Sequence, residues 1–545
     1  MTKQRRSLHL LLMATISTMA ALGISNAHAQ NTYVDIHDFN TSTLVSPEYA
    51  GLLAQGRDGN LYGTAPSGGT LSLGGVFKIT PTGTYSVIYN FDGTAHGKTP
   101  RSGLTLGTDG NFYGTTWQGG TSNYGTVFQI TAAGTLTVLH NFSYTDGGNP
   151  FSPPIQGTDG SYYGATEAGG TGSGTVYKIT PSGTFTSLHS FSFAECATPV
   201  APLIQGIDGN FYGTCETGGA AGGDGSVIKI TAAGVVTVMY SFDFTHGSHP
   251  NGPLVQGIDG NFYGTTSGGG SLDGGVVFKL TPAKVLSVLY NFNAKPGSVD
   301  GNLVDAGVIQ ATDGNFYGVT DGGGTNGSGI VYKITSAGVY SVLYNLVKTT
   351  GSVPETTLRQ HTNGKLYGEA NSGGANSLGA LFSFAVGLKP FVIEMPTSGK
   401  VAKSVGILGS GFTGTTSVNF NGTNATFTVM SDSYIAATVP SGAGTGFVSV
   451  VTPAGALKSN LKFRVTPTVL SFTPPSGTVG TPVTITGNSL TQASKVTFGG
   501  GKVAVFTVNS DTKITATVPA GATTGKIQVT TPGGTAISST AFTVN

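Results

Sequence analysis

Residues 109–116 read DGNFYGTT, and nearly the same eight residues return at Asp208 (DGNFYGTC), Asp259 (DGNFYGTT) and Asp313 (DGNFYGVT). Looser copies start at Asp58 (DGNLYGTA), Asp159 (DGSYYGAT) and Asn363 (NGKLYGEA). The glycine of each word falls at 59, 110, 160, 209, 260, 314 and 364, a period of 49 to 54 residues. Periods of this length mark repeat architectures in which each copy is one supersecondary unit. The second copy has four strand-like runs: SGLTLG, FYGTTW, TVFQIT and TLTVLHNF. They are β-branched and aromatic, and Gly, Pro, Asn and Asp sit between them. No stretch shows a 3.6-residue apolar period, so helix is expected to be nearly absent.

Four antiparallel strands in about 50 residues is the pattern of a β-propeller blade. An open stack of such sheets would leave unpaired edges. The strand count favours a ring. A fourth strand follows repeats one to six, around Tyr89, His140, His189, Tyr240, Tyr290 and Tyr344, but the seventh repeat stops at ALFSFAVG. An orphan strand of the same pattern, YVDIHDF (Tyr33 to Phe39), stands before the first repeat. The sequence therefore predicts an all-β chain. Residues 30–387 form a seven-bladed propeller closed by its N-terminal strand. The texture then changes. SVNFNGTNATFTVMSDSYIAATVPSGAGTGFVSVVTPAG (417–455) aligns with KVTFGGGKVAVFTVNSDTKITATVPAGATTGKIQVTTPGG (495–534). Short alternating strands at this spacing predict two immunoglobulin-like β-sandwich domains, 388–465 and 466–545.

Composition bounds the function. Glycine is 87 of 545 residues and charged residues are only 9%, against roughly 25% in ordinary domains. The 29 Phe and 21 Tyr argue against disorder. Residues 1–29 read as an export leader: Lys3, Arg5 and Arg6, an apolar stretch from Leu8 to Ile24, and the cleavage pattern Ala27-His28-Ala29. Its removal leaves 23 basic against 25 acidic residues, so no nucleic-acid footprint is expected and no membrane insertion after cleavage. The chain is expected to be secreted, at the cell surface or periplasmic. Cys196 and Cys215 are the only cysteines and are candidates for a disulfide in an oxidising compartment. No phosphate loop, H-E-x-x-H, C-x-x-C or G-x-S-x-G is present, so no cofactor, no metal and no defined catalytic residue is expected.

The repeat words resemble the GloVer-type tandem repeat of exported choice-of-anchor bacterial proteins, from Tyr33 to about Gly387. The resemblance implies surface or secreted placement and a propeller-like fold, and it transfers no functional residue. The C-terminal units resemble TIG (IPT) domains. The second does so in SFTPPSGTVGTPVTITGNSL, KVTFGG and SDTKITATVPA. The first departs at its start, EMPTSGKVAKSVGILGSGF. The resemblance implies spacer modules.

The DGN words are expected to be hairpin turns. Gly takes positive φ there and Asp bonds nearby backbone, which accounts for the acid without a ligand. The repeated Tyr is expected in the blade core with its hydroxyl bonded. The turns on this face are monotonous, whereas the loops and crossovers on the other face vary, and varied loops on a rigid scaffold carry function. Three residues after YG stand Pro66, Trp117, Glu167, Glu216, Ser267, Asp321 and Asn371. Of these, Trp117, Glu167, Glu216, Asp321 and Asn371 are the candidate ligand-binding residues, an aromatic beside carboxylates and an amide. Such a set suits a glycan or a surface protein. Glu167, Glu216 and Asp321 are weak catalytic candidates for the alternative, a polysaccharide-active hydrolase or lyase. His96, His246 and His249 lie in crossovers, where HGSH has metal-like spacing, though exposed polar loops explain them equally.

Overall fold

The computed structural model describes residues 31–41, 43–45, 52–220, 222–295 and 297–545. The expected leader at 1–29 lies outside them. Among the described residues, every regular element is a strand except a single 3-10 turn at Lys348–Thr350.

Each repeat forms one four-stranded antiparallel sheet. In the second the order is Thr105–Leu106, Phe112–Thr116, Thr126–Ile130, Leu136–Asn141. The seventh sheet is completed from the other end of the chain. Thr32–Asp38 lies antiparallel to Ala380–Ala385, with Thr32 opposite Ala385 and Asp38 opposite Ala380. Tyr33 stacks on Tyr344 at 4.5 Å and on Phe382 at 5.0 Å, and Phe39 is fully buried.

The repeated word holds neighbouring sheets together. Its Tyr stacks on the leading aromatic of the next copy: Tyr62 on Phe112 (4.1 Å), Tyr113 on Tyr162 (3.8 Å), Tyr163 on Phe211 (4.0 Å), Tyr212 on Phe262 (4.2 Å) and Tyr263 on Phe316 (4.1 Å). Tyr317 then packs in one core with Leu366, and Tyr367 in another with Leu61 of the first repeat. A hydrogen-bond relay runs in parallel. The Gln156 side-chain Oε1 accepts from Thr108 N–H (2.9 Å), and Gln205, Gln256, Gln310 and Gln360 do likewise for Thr158, Ile207, Ile258 and Thr312. Gln55 of the first repeat accepts from Thr362 of the seventh at 3.0 Å. The glycine after Tyr is needed for packing: a Cβ on Gly114 would stand 2.6 Å from the Phe128 ring.

The acid of the word is consumed internally. Asp109 Oδ1 accepts from Asn111 N–H (3.1 Å), closing the turn, while Oδ2 accepts from the Tyr113 hydroxyl at 2.9 Å. The Asp–Tyr bond recurs at Asp58, Asp159, Asp208, Asp259 and Asp313, at 2.8–2.9 Å. Lys229 adds an ion pair to Asp208. Burial pushes that carboxyl up, yet bonds from Lys229, Asn210 and Tyr212 overcome it and hold it down at about 2. Gly110 sits at φ 92°, the left-handed region this turn requires.

Residues 393–465 form two facing sheets around a core of Val405, Ile407, Phe420, Ile435, Val450 and Phe463. One sheet runs Ile393–Met395, Ser404–Leu408, Tyr434–Thr438, Phe427–Ser431, and a short parallel pair joins Ser398–Gly399 to Arg464–Val465. The same order and the same parallel pair recur in residues 468–544. The first of these units is seated on the DGN face. Its Leu408, Ile393, Met395 and Tyr434 pack into one cluster with Tyr62, Leu106 and Phe112. Ser433 Oγ donates to the Arg57 carbonyl (2.7 Å), and Arg57 lies over the Tyr434 ring. Arg464 donates to the Ile207 carbonyl at 2.8 Å. The monotonous face is therefore partly covered.

Candidate ligand-binding mouth

A cavity of about 250 Å³ is lined by Arg101, Phe151, Val200, Asn251, Asp305 and Glu355, together with Glu167, Glu216, Pro253 and Thr357. The first six share one register: each stands eight residues before the first residue of its repeat's turn word. Each inner strand is two residues long, so the crossover delivers this residue to the sheet edge in every repeat. The first repeat's equivalent, Ala50, lies outside the described residues. The wall is thus made by one position, repeated, that supplies a cation, a ring, an aliphatic, an amide and two carboxylates.

The residues three after YG stand around and behind this wall. Glu167 and Glu216 line the cavity. Trp117 holds Glu167 rather than offering a bare platform. Its indole N–H donates to Glu167 Oε2 at 3.0 Å, and one ring face is covered by the Arg101 guanidinium at 4.5 Å. Asn149 donates to the Trp117 carbonyl at 2.9 Å. Asn371 is likewise occupied, donating to Glu355 Oε2 at 3.1 Å. Asp321, expected on the ligand-binding face, is only 7% exposed. It sits behind Asp305, which itself accepts from Asn251 at 3.0 Å. That places Asp321 out of reach of a ligand and corrects the sequence expectation.

The mouth is rich in carboxylates. Burial holds the Asp321 carboxyl well above the ordinary range, and Asp305 and Glu355 add to the effect. Burial also raises Glu216. His249 pulls it back down, while Glu167 and Asp305 push it up. Both carboxyls thus hold a proton to higher pH than an exposed carboxyl does.

The crossover histidines act locally: His96 pairs with Asp92 and His246 with Asp243. Among the described residues, no group of three or more His, Cys, Asp or Glu is arranged to hold a metal, and no helix is long and apolar enough to cross a membrane. Cys196 and Cys215 are joined in a disulfide across 19 residues, with Cα atoms 5.4 Å apart. It ties the crossover ahead of Val200 to the strand that ends beside Glu216. A loop of this length constrains the unfolded chain by about 3 kcal/mol. Cys196→Ser/Cys215→Ser is accordingly expected to lower the melting temperature by several degrees, read by calorimetry; an unchanged transition would contradict this.

The inner-position residues carry no motif of their own; their signal in the sequence is a fixed spacing, eight residues before the turn word, at which Arg101, Phe151, Asn251, Asp305 and Glu355 form a varied column.

The chain belongs to the Gloeobacter/Verrucomicrobia repeat family, whose model matches residues 24–223 and 200–430. The IPT/TIG domain model matches residues 467–544. No curated protein matches. Among solved structures, the chain is similar to a fungal alcohol oxidase of the AA5 family in complex with copper, at 14% identity and TM-score 0.43, covering 94% of this chain and 99% of that one. It is also similar to a surface glycan-binding protein of Prevotella bryantii, at 21% identity and TM-score 0.21, over 27% of this chain and 38% of that one. A protein from a complex xyloglucan utilization locus of Bacteroides uniformis matches at 21% identity and TM-score 0.15, over 28% and 48%. Likenesses at these scores carry no functional argument.

Proposed function

We propose that the chain is an exported binding protein whose repeats close into a seven-bladed β-propeller and whose varied face holds a glycan in the axial mouth. The immunoglobulin-like units, 388–465 and 466–545, serve as spacers. Closure is supported by the pairing of Thr32–Asp38 with Ala380–Ala385 and by the Gln55–Thr362 bonds. Export is supported by the leader reading and by the disulfide, a bond typical of oxidising compartments.

The observation that carries the glycan reading is the mixed lining of the mouth. Phe151 and Val200 offer apolar contact, while Arg101, Asn251, Asp305 and Glu355 offer hydrogen bonds to hydroxyls. The turn words are held nearly uniform for packing, whereas this column changes from repeat to repeat where the repeats meet a ligand-sized cavity. Trp117→Ala removes the partner of both Arg101 and Glu167. It is expected to weaken retention on an immobilised polysaccharide panel at least about tenfold, equivalent to about 1.4 kcal/mol. Unaltered retention would sink the assignment.

A second reading rests on Glu216 and Glu167. A carboxyl biased toward its acid form beside another carboxyl is the arrangement of an acid and a base in polysaccharide cleavage. The same panel separates the two readings. Retention without product supports binding; new reducing ends or unsaturated sugars support cleavage.

A further inference from the structure

Three consecutive crossovers on the varied face expose an aromatic side chain at one backbone position. Tyr144 is 40% exposed, Phe193 57% and Phe244 48%. Their carbonyls accept from the N–H groups of Gly170, Gly219 and Gly270 in the following repeat, at 2.8, 2.9 and 2.7 Å. The Lys348 carbonyl makes the same bond to Gly374 at 2.9 Å. In the first crossover the Gly93 carbonyl lies 2.7 Å from where a Cβ on Gly119 would stand. The position is therefore set by main-chain bonding, and the fold accepts Gly or Lys there as readily as an aromatic.

Folding energetics do not select these rings. Tyr144 and Phe244 hold left-handed backbone, at φ 71° and 63°, which disfavours L-residues by roughly 1–2 kcal/mol. Exposure forgoes much of what burying a ring would contribute. Strain of this kind, at a solvent-facing position, is characteristic of binding surfaces. Tyr124, from the long loop of the second repeat, leans on Tyr144 with ring centroids 5.0 Å apart. The arc adjoins the mouth on its carboxylate side. Gly148 bridges to Ala168 and Ala197 to Thr217, the residues next to Glu167 and Glu216.

We propose that Tyr144, Phe193 and Phe244 form an extended subsite that carries a neutral polysaccharide chain beyond the units held in the mouth. This rests on the glycan reading of the mouth. Asp146, Glu195 and Asp243 stand within two residues of these rings in the sequence, whereas protein interfaces centre on an apolar core depleted of charge. A sugar polymer presents apolar CH faces at intervals with hydroxyls around them, which matches rings supplied one to a crossover beside polar side chains. The same carboxylates, with Glu167 and Glu216 beside them, repel an anionic polymer.

The test compares the full chain with its Phe193→Ala/Phe244→Ala variant on soluble β-glucan, xylan and mannan and on their tetrasaccharides, with alginate as the anionic polymer. On the neutral glycan that binds, the double variant is expected to lose at least tenfold in polymer affinity while tetrasaccharide affinity and melting temperature hold. Trp117→Ala is expected to weaken both ligands. Retained polymer affinity in the double variant, or tighter binding of alginate than of any neutral glycan, overturns the subsite and leaves the mouth standing. If the wild-type chain binds none of these glycans, the mouth reading fails and the subsite with it.

Discussion

A chain that begins at residue 41 is expected to melt about 10 °C below the full-length protein, with a broader transition in the repeat region. The deletion takes away the outer strand of the seventh sheet, and among the described residues no other strand pairs with that edge. Ala380–Ala385 becomes an unpaired edge. The stacks of Tyr33 on Tyr344 and of His37 on Tyr85 (3.9 Å) are lost, as is the fully buried Phe39 at the contact with Phe77. Asp38 no longer caps Ala375 N–H. Each buried aromatic contributes about 1.5–3 kcal/mol, and for a domain of this size each kcal/mol corresponds to about 2 °C or less. The ladder bonds bring the total to the order of 5–10 kcal/mol. Calorimetry reads the shift. A melting temperature within 2 °C of the full chain would mean that the N-terminal strand does not hold the repeats together.

The repeat architecture was legible because the word carries its own packing. Tyr113 packs on an aromatic of the next copy, Gly114 makes room for Phe128, and Asp109 accepts from the Tyr113 hydroxyl, so each residue of the word is held in place by another. The role of the acid was legible for the same reason: a turn explains it completely. The mouth was only half legible. Glu167 and Glu216 were found because they follow a conspicuous motif. Asp305 and Glu355 precede theirs by eight residues, across a short strand with no signature of its own. Asp321 looked equivalent to Glu216 in register, yet its shorter side chain is covered by Asp305. A linear pattern gives the column a residue belongs to, but it does not tell how far the side chain reaches. Trp117 was legible as a landmark, but the residue that covers its ring, Arg101, comes from a different column.

Glu369→Thr is expected to stabilise the repeat region and to reduce the loss of stability above neutral pH. Glu369 occupies the fourth place of the FYGT segment, where other copies have Thr64, Thr115, Ala165, Thr214, Thr265 and Val319. The Thr115, Thr214 and Thr265 hydroxyls donate to carbonyls of the next crossover, at 3.2 Å to Ser152, 3.0 Å to Gly252 and 2.9 Å to Ala306. Glu369 is 1% exposed and neither carboxyl oxygen has a hydrogen-bond partner. Burial raises its carboxyl well above the ordinary range. Glu394, in the first immunoglobulin-like unit, is similar: burial lifts it to about 8 against opposing bonds from its own backbone and Ser459. A carboxyl raised in the folded state contributes fully below its unfolded value of 4.5, and that contribution is lost as pH climbs toward the folded value. Buried His361, lowered to about 4 by burial, acts oppositely, but only below its unfolded value of 6.5. Between pH 6.5 and 8 the carboxyls act without that opposition. Glu394 alone then lowers stability by about 2 kcal/mol over that interval. Denaturant titrations at the two pH values are expected to show wild-type stability falling, Glu394→Gln recovering about that amount, and Glu369→Thr gaining at both pH values and more at pH 8. A wild-type protein equally stable at pH 6.5 and 8 would mean that these carboxyls reach water or a partner in the folded state.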